Sequence, residues 1–405
     1  MERQLPDLKA LGQLLQLRRA RLTGPRSDIE GAQTIWDLRK LARRRTPTAV
    51  FDYTDGAADS EESLRRAREL FRKLTFHPRV LRDVSEVDPS ADLLGAQSSF
   101  PFALAPTGFT RMMRAEGESA VARVAERSGI PYALSTMGTT SIEQVARVAP
   151  NLRRWFQLYL WRDRQAGIEF VRRAAESGYE ALILTVDVPV AGRRLRDVYN
   201  GLSVPPEITL RTFVDGALHP AWWFDLLTTE PLTFANMHHY EGTVADMIDR
   251  MFDPSATVDE VRYLRSEWPG KLIVKGVQRP EDARLVVDAG ADAVVVSNHG
   301  GRQLDNAPTP LRLLGAVLAE VGRDCEVYLD GGVMHGADIV AALALGAHGV
   351  LVGRAYLYGL MAGGEKGVER AIKILASEIV RTMRLLGATS VAELDSSLVS
   401  LPEYD

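Results

Sequence analysis

The sequence predicts an α/β protein built as a parallel (β/α)8 barrel, on three observations. Beyond about residue 98, a short apolar run, a turn bearing Gly or polar residues and a segment of helical periodicity recur as a unit. The apolar run occurs eight times, the number of strands that a closed parallel barrel needs. The runs are nearly continuous rather than alternating, as in strands covered on both faces.

In order, the runs are Pro101–Ala105, Tyr132–Ser135, Trp155–Tyr159, Ala181–Val186, Leu272–Lys275, Ala293–Ser297, Val327–Asp330 and Val350–Val352. Helical periodicity falls between them, for example at Glu116–Ser128, Ser141–Val148, Gln165–Ser177, Pro280–Ala289 and Ala337–Leu345. Gly129, Gly178, Gly290 and Gly346 stand where a residue tolerant of positive φ ends a helix. An open, doubly wound sheet shares this alternation, but polar residues gathered at one end of the runs favour the closed form.

Two regions lie outside the repeat. Residues 1–97 read as a helical, Arg-rich extension packing on the barrel: Ile35–Arg45 stops before Pro47, and Glu61–Lys73 follows the Asp55-Gly56 turn. Residues 98–390 are assigned to the barrel and 391–405 to a C-terminal tail. After the fourth strand, residues 191–255 form a lid or insertion of roughly sixty residues, against a usual loop limit of about 12–15. Its Trp222, Trp223, Phe224, Leu226 and Leu227 suit either a small core inside a lid or contact with a membrane surface or partner.

The 405 residues are 46% hydrophobic with a formal charge of −4, so a large core is available and no whole-chain field exists to hold nucleic acid. One cysteine, Cys325, excludes an internal disulfide and a Cys-based zinc site and fits a reducing cytoplasm. Met1 to Arg21 lacks the apolar centre of a signal peptide, and no stretch is long and apolar enough to span a bilayer. His238-His239 has no Cys, Asp or Glu at ligand spacing and reads as a surface pair, so no metal is expected.

Barrel enzymes work at the C-terminal ends of their strands, and there the reactive residues fall. Pro106-Thr107-Gly108 follows the first run, Ser135 ends the second, Gln157 and Tyr159 lie in the third, Thr185 and Asp187 close the fourth, and Lys275 ends the fifth. Ser297-Asn298-His299-Gly300-Gly301-Arg302-Gln303-Leu304-Asp305 follows the sixth, Asp330-Gly331-Gly332 the seventh and Gly353-Arg354 the eighth. Glycines after the last two runs let backbone N–H groups approach a phosphate, and Arg354 adds a bidentate charge. A phosphorylated substrate and a phosphate-tailed cofactor both fit that pattern. His299, just past a strand and with Asp187 as a charge partner, can deprotonate a substrate near neutral pH, while Arg302 can clamp a carboxylate. Together they describe a site for a hydroxyl beside a carboxylate.

The segment Ser297 to Asp305, with Val274-Lys275-Gly276 and Phe156-Gln157-Leu158-Tyr159, resembles the FMN-dependent 2-hydroxy acid dehydrogenase and oxidase family, from about residue 30 to the end. Within it the chain is most similar to the bacterial quinone-linked L-lactate dehydrogenases, through Phe51-Asp52-Tyr53-Thr54-Asp55-Gly56, the Trp-rich insertion and Phe252-Asp253-Pro254-Ser255. The resemblance implies FMN and the oxidation of an L-2-hydroxy acid, L-lactate to pyruvate foremost, with electrons passed to a quinone or cytochrome. An oxidase or lactate 2-monooxygenase using O2 is the alternative. It further implies a homotetramer and a cytoplasmic location with peripheral contact at the inner face of the cell membrane.

By the same resemblance His299 is the base, supported by Asp187; Arg194 and Arg302 bind the carboxylate; and Tyr53 and Tyr159 hydrogen-bond the substrate. Pro106, Thr107 and Gly108 lie against the flavin, and Ser135, Gln157, Thr185 and Ser297 bond its ring or ribityl chain. Lys275 sits near its pyrimidine end, and Asp330, Gly331, Gly332, Gly353 and Arg354 hold the ribityl phosphate. Three positions depart from the pattern. Met334 stands where many relatives have an arginine, Met137 where glycolate oxidase-like members have a bulky aromatic, and Gly108 where several oxidases have alanine.

Overall fold

The computed structural model describes residues 28–201, 210–236 and 251–403. His238, His239, the lead-in through Arg21 and the last two residues of the tail lie outside them.

Eight parallel strands close into a (β/α)8 (TIM) barrel: β1 (Phe102–Leu104), β2 (Tyr132–Ser135), β3 (Arg154–Tyr159), β4 (Ala181–Thr185), β5 (Lys271–Val277), β6 (Ala293–Val296), β7 (Glu326–Asp330) and β8 (Gly349–Val352). Each strand pairs with its sequence neighbour, and β8 returns to β1 through Val350 opposite Phe102. The strands match the eight apolar runs to within one or two residues at either end, and helices follow at Gly117–Arg127, Ile142–Val148, Arg164–Glu176, Asp259–Glu267, Pro280–Asp288, Pro310–Val321, Gly336–Ala344 and Arg354–Leu386. Gly129, Gly178, Gly290 and Gly346 all hold positive φ just past helix ends, at 63°, 71°, 106° and 102°, the conformation in which a Cβ is penalised.

Strand alternation divides the core in two. Ala103, Ala133, Trp155, Ile183, Ile273, Val295, Tyr328 and Leu351 point inward and fill the barrel, with Trp155 packed edge-on to Tyr328 at 6.1 Å. Their neighbours, such as Phe102, Leu134, Phe156, Leu182, Val274, Val296 and Leu329, face the helices. Below, Leu93 and Leu94 from a short antiparallel hairpin (Ala91–Leu93 with Ala96–Ser98) join the interior cluster, so side chains plug that end.

Ahead of the hairpin, Ile35–Arg45 begins at a reciprocal cap in which the Thr34 hydroxyl accepts from Asp37 N while the Asp37 carboxylate accepts from Thr34 N. Helices Thr48–Asp55 and Glu62–Lys73 follow, and the chain between them reaches the barrel rim: Ala58 N donates to Gly301 O at 2.9 Å and Asp59 N to Arg193 O at 2.8 Å. The Asp305 carboxylate, at the end of the sequence's His-bearing motif, accepts from Ser60 N and Ser63 N at 3.1 and 2.8 Å and so caps Glu62–Lys73. At the other terminus Val399–Ser400 pairs with Thr75–Phe76.

The insertion contributes short helices Leu195–Tyr199, Leu210–Ala217 and Pro220–Leu227. Its apolar cluster is split between two directions. Trp222 packs on the main core and donates its indole N–H to Met112 O at 2.9 Å, and Trp223 lies edge-on to it. Phe224 and Leu227 are 68% and 75% exposed, and Tyr199 and Leu218 are exposed as well. Among the described residues no helix is long and apolar enough to cross a membrane, and no cluster of His, Cys, Asp and Glu could hold a metal.

Candidate active site

The inward alternation continues past the apolar filling to a polar layer. Two residues beyond Ala103, Ala133, Trp155, Ile183, Ile273, Val295, Tyr328 and Leu351 stand Ala105, Ser135, Gln157, Thr185, Lys275, Ser297, Asp330 and Gly353. One period-2 rule therefore brings eight chain-distant residues to the C-terminal mouth of the barrel. Above them is a cavity of about 530 Å3, lined by residues from the C-terminal end of every strand or the loop that follows it and from the extension.

Of the residues singled out in the sequence, Tyr53, Pro106, Thr107, Gly108, Gln157, Tyr159, Thr185, Arg194, Lys275, His299, Arg302, Asp330, Gly331, Gly332, Gly353 and Arg354 line this cavity. Ser135, Asp187 and Ser297 stand behind its wall. Ser135 Oγ donates to Gln157 Oε1 at 3.0 Å, and Ser297 Oγ accepts from Lys275 Nζ and His299 N, each at 3.0 Å. Asp187 Oδ1 lies 3.0 Å from His299 Nδ1.

Lys275 is buried and bridges to Asp330 at 3.0 Å. Burial opposes its charge, but Asp330 and Asp187 outweigh it and raise the ammonium above its usual value. Asp187 is likewise buried, and attraction from His299 and Lys275 overcomes desolvation to hold its carboxyl below the ordinary range. Gly276, at φ 106°, lets this packing happen: a Cβ there would come within 2.7 Å of the Asp187 side chain. Gln303 ties the His299 loop to the insertion, donating to Asp187 O and Val190 O and accepting from Gly192 N.

Arg302 and Arg354, in the cavity wall, have no carboxylate within ion-pair distance among the described residues. Arg302 donates to Tyr53 O and Gly56 O at 2.6 and 3.1 Å, and Arg354 to Thr54 O, Gly300 O and Gly56 O at 3.0, 2.9 and 2.7 Å. Both use carbonyls at the C-terminal end of helix Thr48–Asp55, where partial negative charge collects. Burial, followed by repulsion from Arg194, pushes Arg302 down to about 9; burial pushes Arg354 down to about 10, and neighbouring Arg68 adds to it. An anion at each would relieve that cost. Arg194 stands near Arg302, its guanidinium 5.9 Å from the Tyr53 ring centre against 5.0 Å for Arg302.

Sequence pattern does not single out Arg68 or Asp197, although both line the cavity. Arg68 is one of several arginines on an amphipathic helix and Asp197 sits in the insertion, so no local periodicity marks either. Gly108 and Met137 turn out to be one packing unit, since a Cβ on Gly108 would lie 2.8 Å from Met137 Cβ. Met334 is buried and supplies no charge.

The residues present fit FMN. Buried polar atoms without hydrogen-bond partners, namely Gln157 Nε2, Thr185 Oγ1 and Asp330 Oδ1, belong to residues lining one stretch of the wall beside the Lys275 ammonium, as the heteroatom edge of a flavin ring requires. At the β7 and β8 ends, Gly331 and Gly332 hold φ of 93° and 83°, and a Cβ on Gly353 would meet only Ala105 at 3.9 Å. Beside them is Arg354, so a phosphate would find glycine turns, open space at Gly353 and a cation together.

Comparison with known proteins agrees with this geometry. The profile of the family described as FMN-dependent dehydrogenase matches residues 42–401. A Mycobacterium tuberculosis protein, named provisionally as an L-lactate dehydrogenase, is 54% identical over 97% of this chain and 95% of its own. The L-lactate dehydrogenase of Caulobacter vibrioides is 42% identical over 90% of this chain and 96% of its own. The crystal structure of the monotopic membrane protein (S)-mandelate dehydrogenase superposes with a TM-score of 0.88 at 38% identity, covering 92% of this chain and all of that one. This chain therefore belongs to the FMN-dependent dehydrogenase family.

Proposed function

We propose that the protein oxidises an L-2-hydroxy acid, L-lactate to pyruvate foremost, and passes the electrons to a quinone or cytochrome. The observation that carries this reading is the conjunction, in one cavity, of the Asp187-supported His299 with Arg302, a part-buried cation with no carboxylate within ion-pair distance among the described residues. A carboxylate on Arg302 and Arg194 would hold the substrate's hydroxyl-bearing carbon toward His299, and the phenols of Tyr53 and Tyr159 are hydrogen-bond partners for its oxygens.

His299 Nδ1–H is directed at Asp187, which leaves Nε2 with the lone pair. Nε2 accepts a proton from the substrate, and Asp187 stabilises the resulting imidazolium. In all, the substrate gives up two electrons and two protons, the one taken by Nε2 among them, as its hydroxyl becomes a carbonyl. When bound, FMN supplies the two-electron acceptor. Gln157, Thr185, Lys275 and Asp330 would hold its ring and chain, with Ser135 and Ser297 behind them and Pro106, Thr107 and Gly108 against a face. Gly331, Gly332, Gly353 and Arg354 would hold the phosphate.

On this reading residues 1–97 serve as an extension, 98–390 as the catalytic barrel with 191–255 as its lid, and 391–405 as a tail. The exposed Tyr199, Leu218, Phe224 and Leu227 support peripheral membrane contact by the insertion, on the cytoplasmic side, and so a quinone acceptor. A homotetramer, implied by the resemblance, belongs to the same reading.

The test is anaerobic addition of L-lactate to the purified holoprotein. The visible flavin bands should bleach, D-lactate and NADH should leave them unchanged, and an unbleached flavin with L-lactate would reject lactate oxidation. Peroxide or acetate formed after air is admitted would favour the O2-using alternative.

A further inference from the structure

The phosphate end of the cavity has a second cation that comes from outside the barrel. Helix Glu62–Lys73 is set directly on the loops that follow β6 and β7. A Cβ on Gly332 would lie 3.0 Å from the backbone carbon of Ala67, and one on Gly301 would lie 2.8 Å from Leu64 N. Asp305 caps the same helix from the His299 loop. Arg68, next to Ala67, is thereby delivered to the cavity wall together with Leu64, Gly331, Gly332, Gly353 and Arg354.

We infer that Arg68 binds the phosphate of the bound flavin alongside Arg354, so that the extension completes the cofactor site; this rests on the cofactor reading above. Three observations carry it. Arg68 makes one hydrogen bond among the described residues, a long one of 3.3 Å to Tyr358 OH, and its buried Nε has no partner. The Trp36 ring, 5.2 Å from its guanidinium carbon, supports the group without neutralising it. Arg354 already directs three hydrogen bonds to backbone carbonyls, which leaves it fewer donors for an anion.

The two guanidinium groups are also close enough for Arg68 to destabilise the charge on Arg354. Like charges brought together at a buried wall are costly unless an anion joins them. Met334, on the loop after β7, is buried and apolar and contributes nothing to that balance. Arg68 is thus the group that doubles the positive charge where the glycine turns open.

The test compares FMN with riboflavin, which lacks the phosphate, by titrating the flavin-free full-length chain and following flavin fluorescence. The wild type should prefer FMN. Arg68→Met should cut that preference roughly 10- to 100-fold, the equivalent of one charge-assisted hydrogen bond, and leave riboflavin affinity unchanged. Equal weakening of both ligands would assign Arg68 to helix packing and overturn the inference, as would unchanged FMN affinity. Should Arg68→Met fail to fold, Arg68→Gln carries the test, because it keeps a donor for Tyr358 while removing the charge; wild-type preference in that variant would overturn the inference. A wild type indifferent to the phosphate would sink the reading of the cofactor site itself, whereas intact wild-type preference with an unaffected Arg68 variant sinks only the role of Arg68.

Discussion

His299 holds φ at 57°, a left-handed conformation that costs a side chain with a Cβ about 1–2 kcal/mol. Its neighbours enforce the strain: Ser297 Oγ takes its N–H, Gly300 and Gly301 continue at φ 64° and 76°, and Asn298 Oδ1 accepts from Gly301 N at 3.1 Å. Such strain persists where a side chain must be aimed. Asp187 then fixes the ring by its 3.0 Å contact to Nδ1. Replacing Asp187 with Asn puts an amide donor within reach of Nδ1 and favours the tautomer with its proton on Nε2, where it cannot accept another. We expect Asp187→Asn to slow flavin reduction by L-lactate roughly 10^2- to 10^4-fold with KM little changed, measured by stopped-flow absorbance. A rate within twofold of the wild type would remove Asp187 from the proton path. His299 and Arg302 were legible in the sequence because their spacing follows a strand. The backbone strain was not, since it needs the loop closed by Asn298.

Helix Thr48–Asp55 joins the extension to the site through a buried carboxylate. Asp55 accepts from Arg39 at 2.6 and 2.8 Å, from Arg196 at 3.0 Å and from Tyr358 OH at 2.7 Å. Burial disfavours its charge, but the hydrogen bonds from Arg39 and Tyr358 and the nearby cations prevail and hold its carboxyl well below the usual range. A depressed carboxyl contributes stability that is complete above the unfolded value, near about 4, and is lost as pH falls through the lower folded value. Asp55→Asn should therefore cost roughly 1.5–3 kcal/mol at pH 7, and the gap to the wild type should narrow below about pH 4 in denaturant titrations. A gap independent of pH would show that the charge is irrelevant. Strands and helices such as β2 and Ile35–Arg45 were readable to the residue because apolar period and caps are local signals. The roles of Asp55 and of Arg68's helix were not, because their partners lie hundreds of residues away, at Tyr358 and in the loops after β6 and β7.

At the scale of the whole molecule, a period-2 alternation repeated around a closed barrel turns eight separate strand ends into one floor, polar at six of its eight positions, and the extension and insertion wall it in. Charge in the cavity wall is unevenly matched: Lys275 is paired with Asp330, while Arg302 and Arg354 have no carboxylate within ion-pair distance among the described residues. The apolar residues of the insertion are divided, Trp222 anchoring it and Phe224 and Leu227 facing out. Its apolar character was plain in the sequence, but the division was not, because it depends on the Met112 carbonyl that receives the Trp222 indole. The proposed oxidation depends on His299 acting as the base beside a bound flavin. The most direct measurement is the rate of anaerobic flavin reduction by L-lactate in His299→Ala. The expected variant is a yellow protein with a full complement of FMN whose flavin is reduced at least about 10^2-fold more slowly than the wild type's. A variant that bleaches at the wild-type rate, or that no longer holds FMN, would contradict that role.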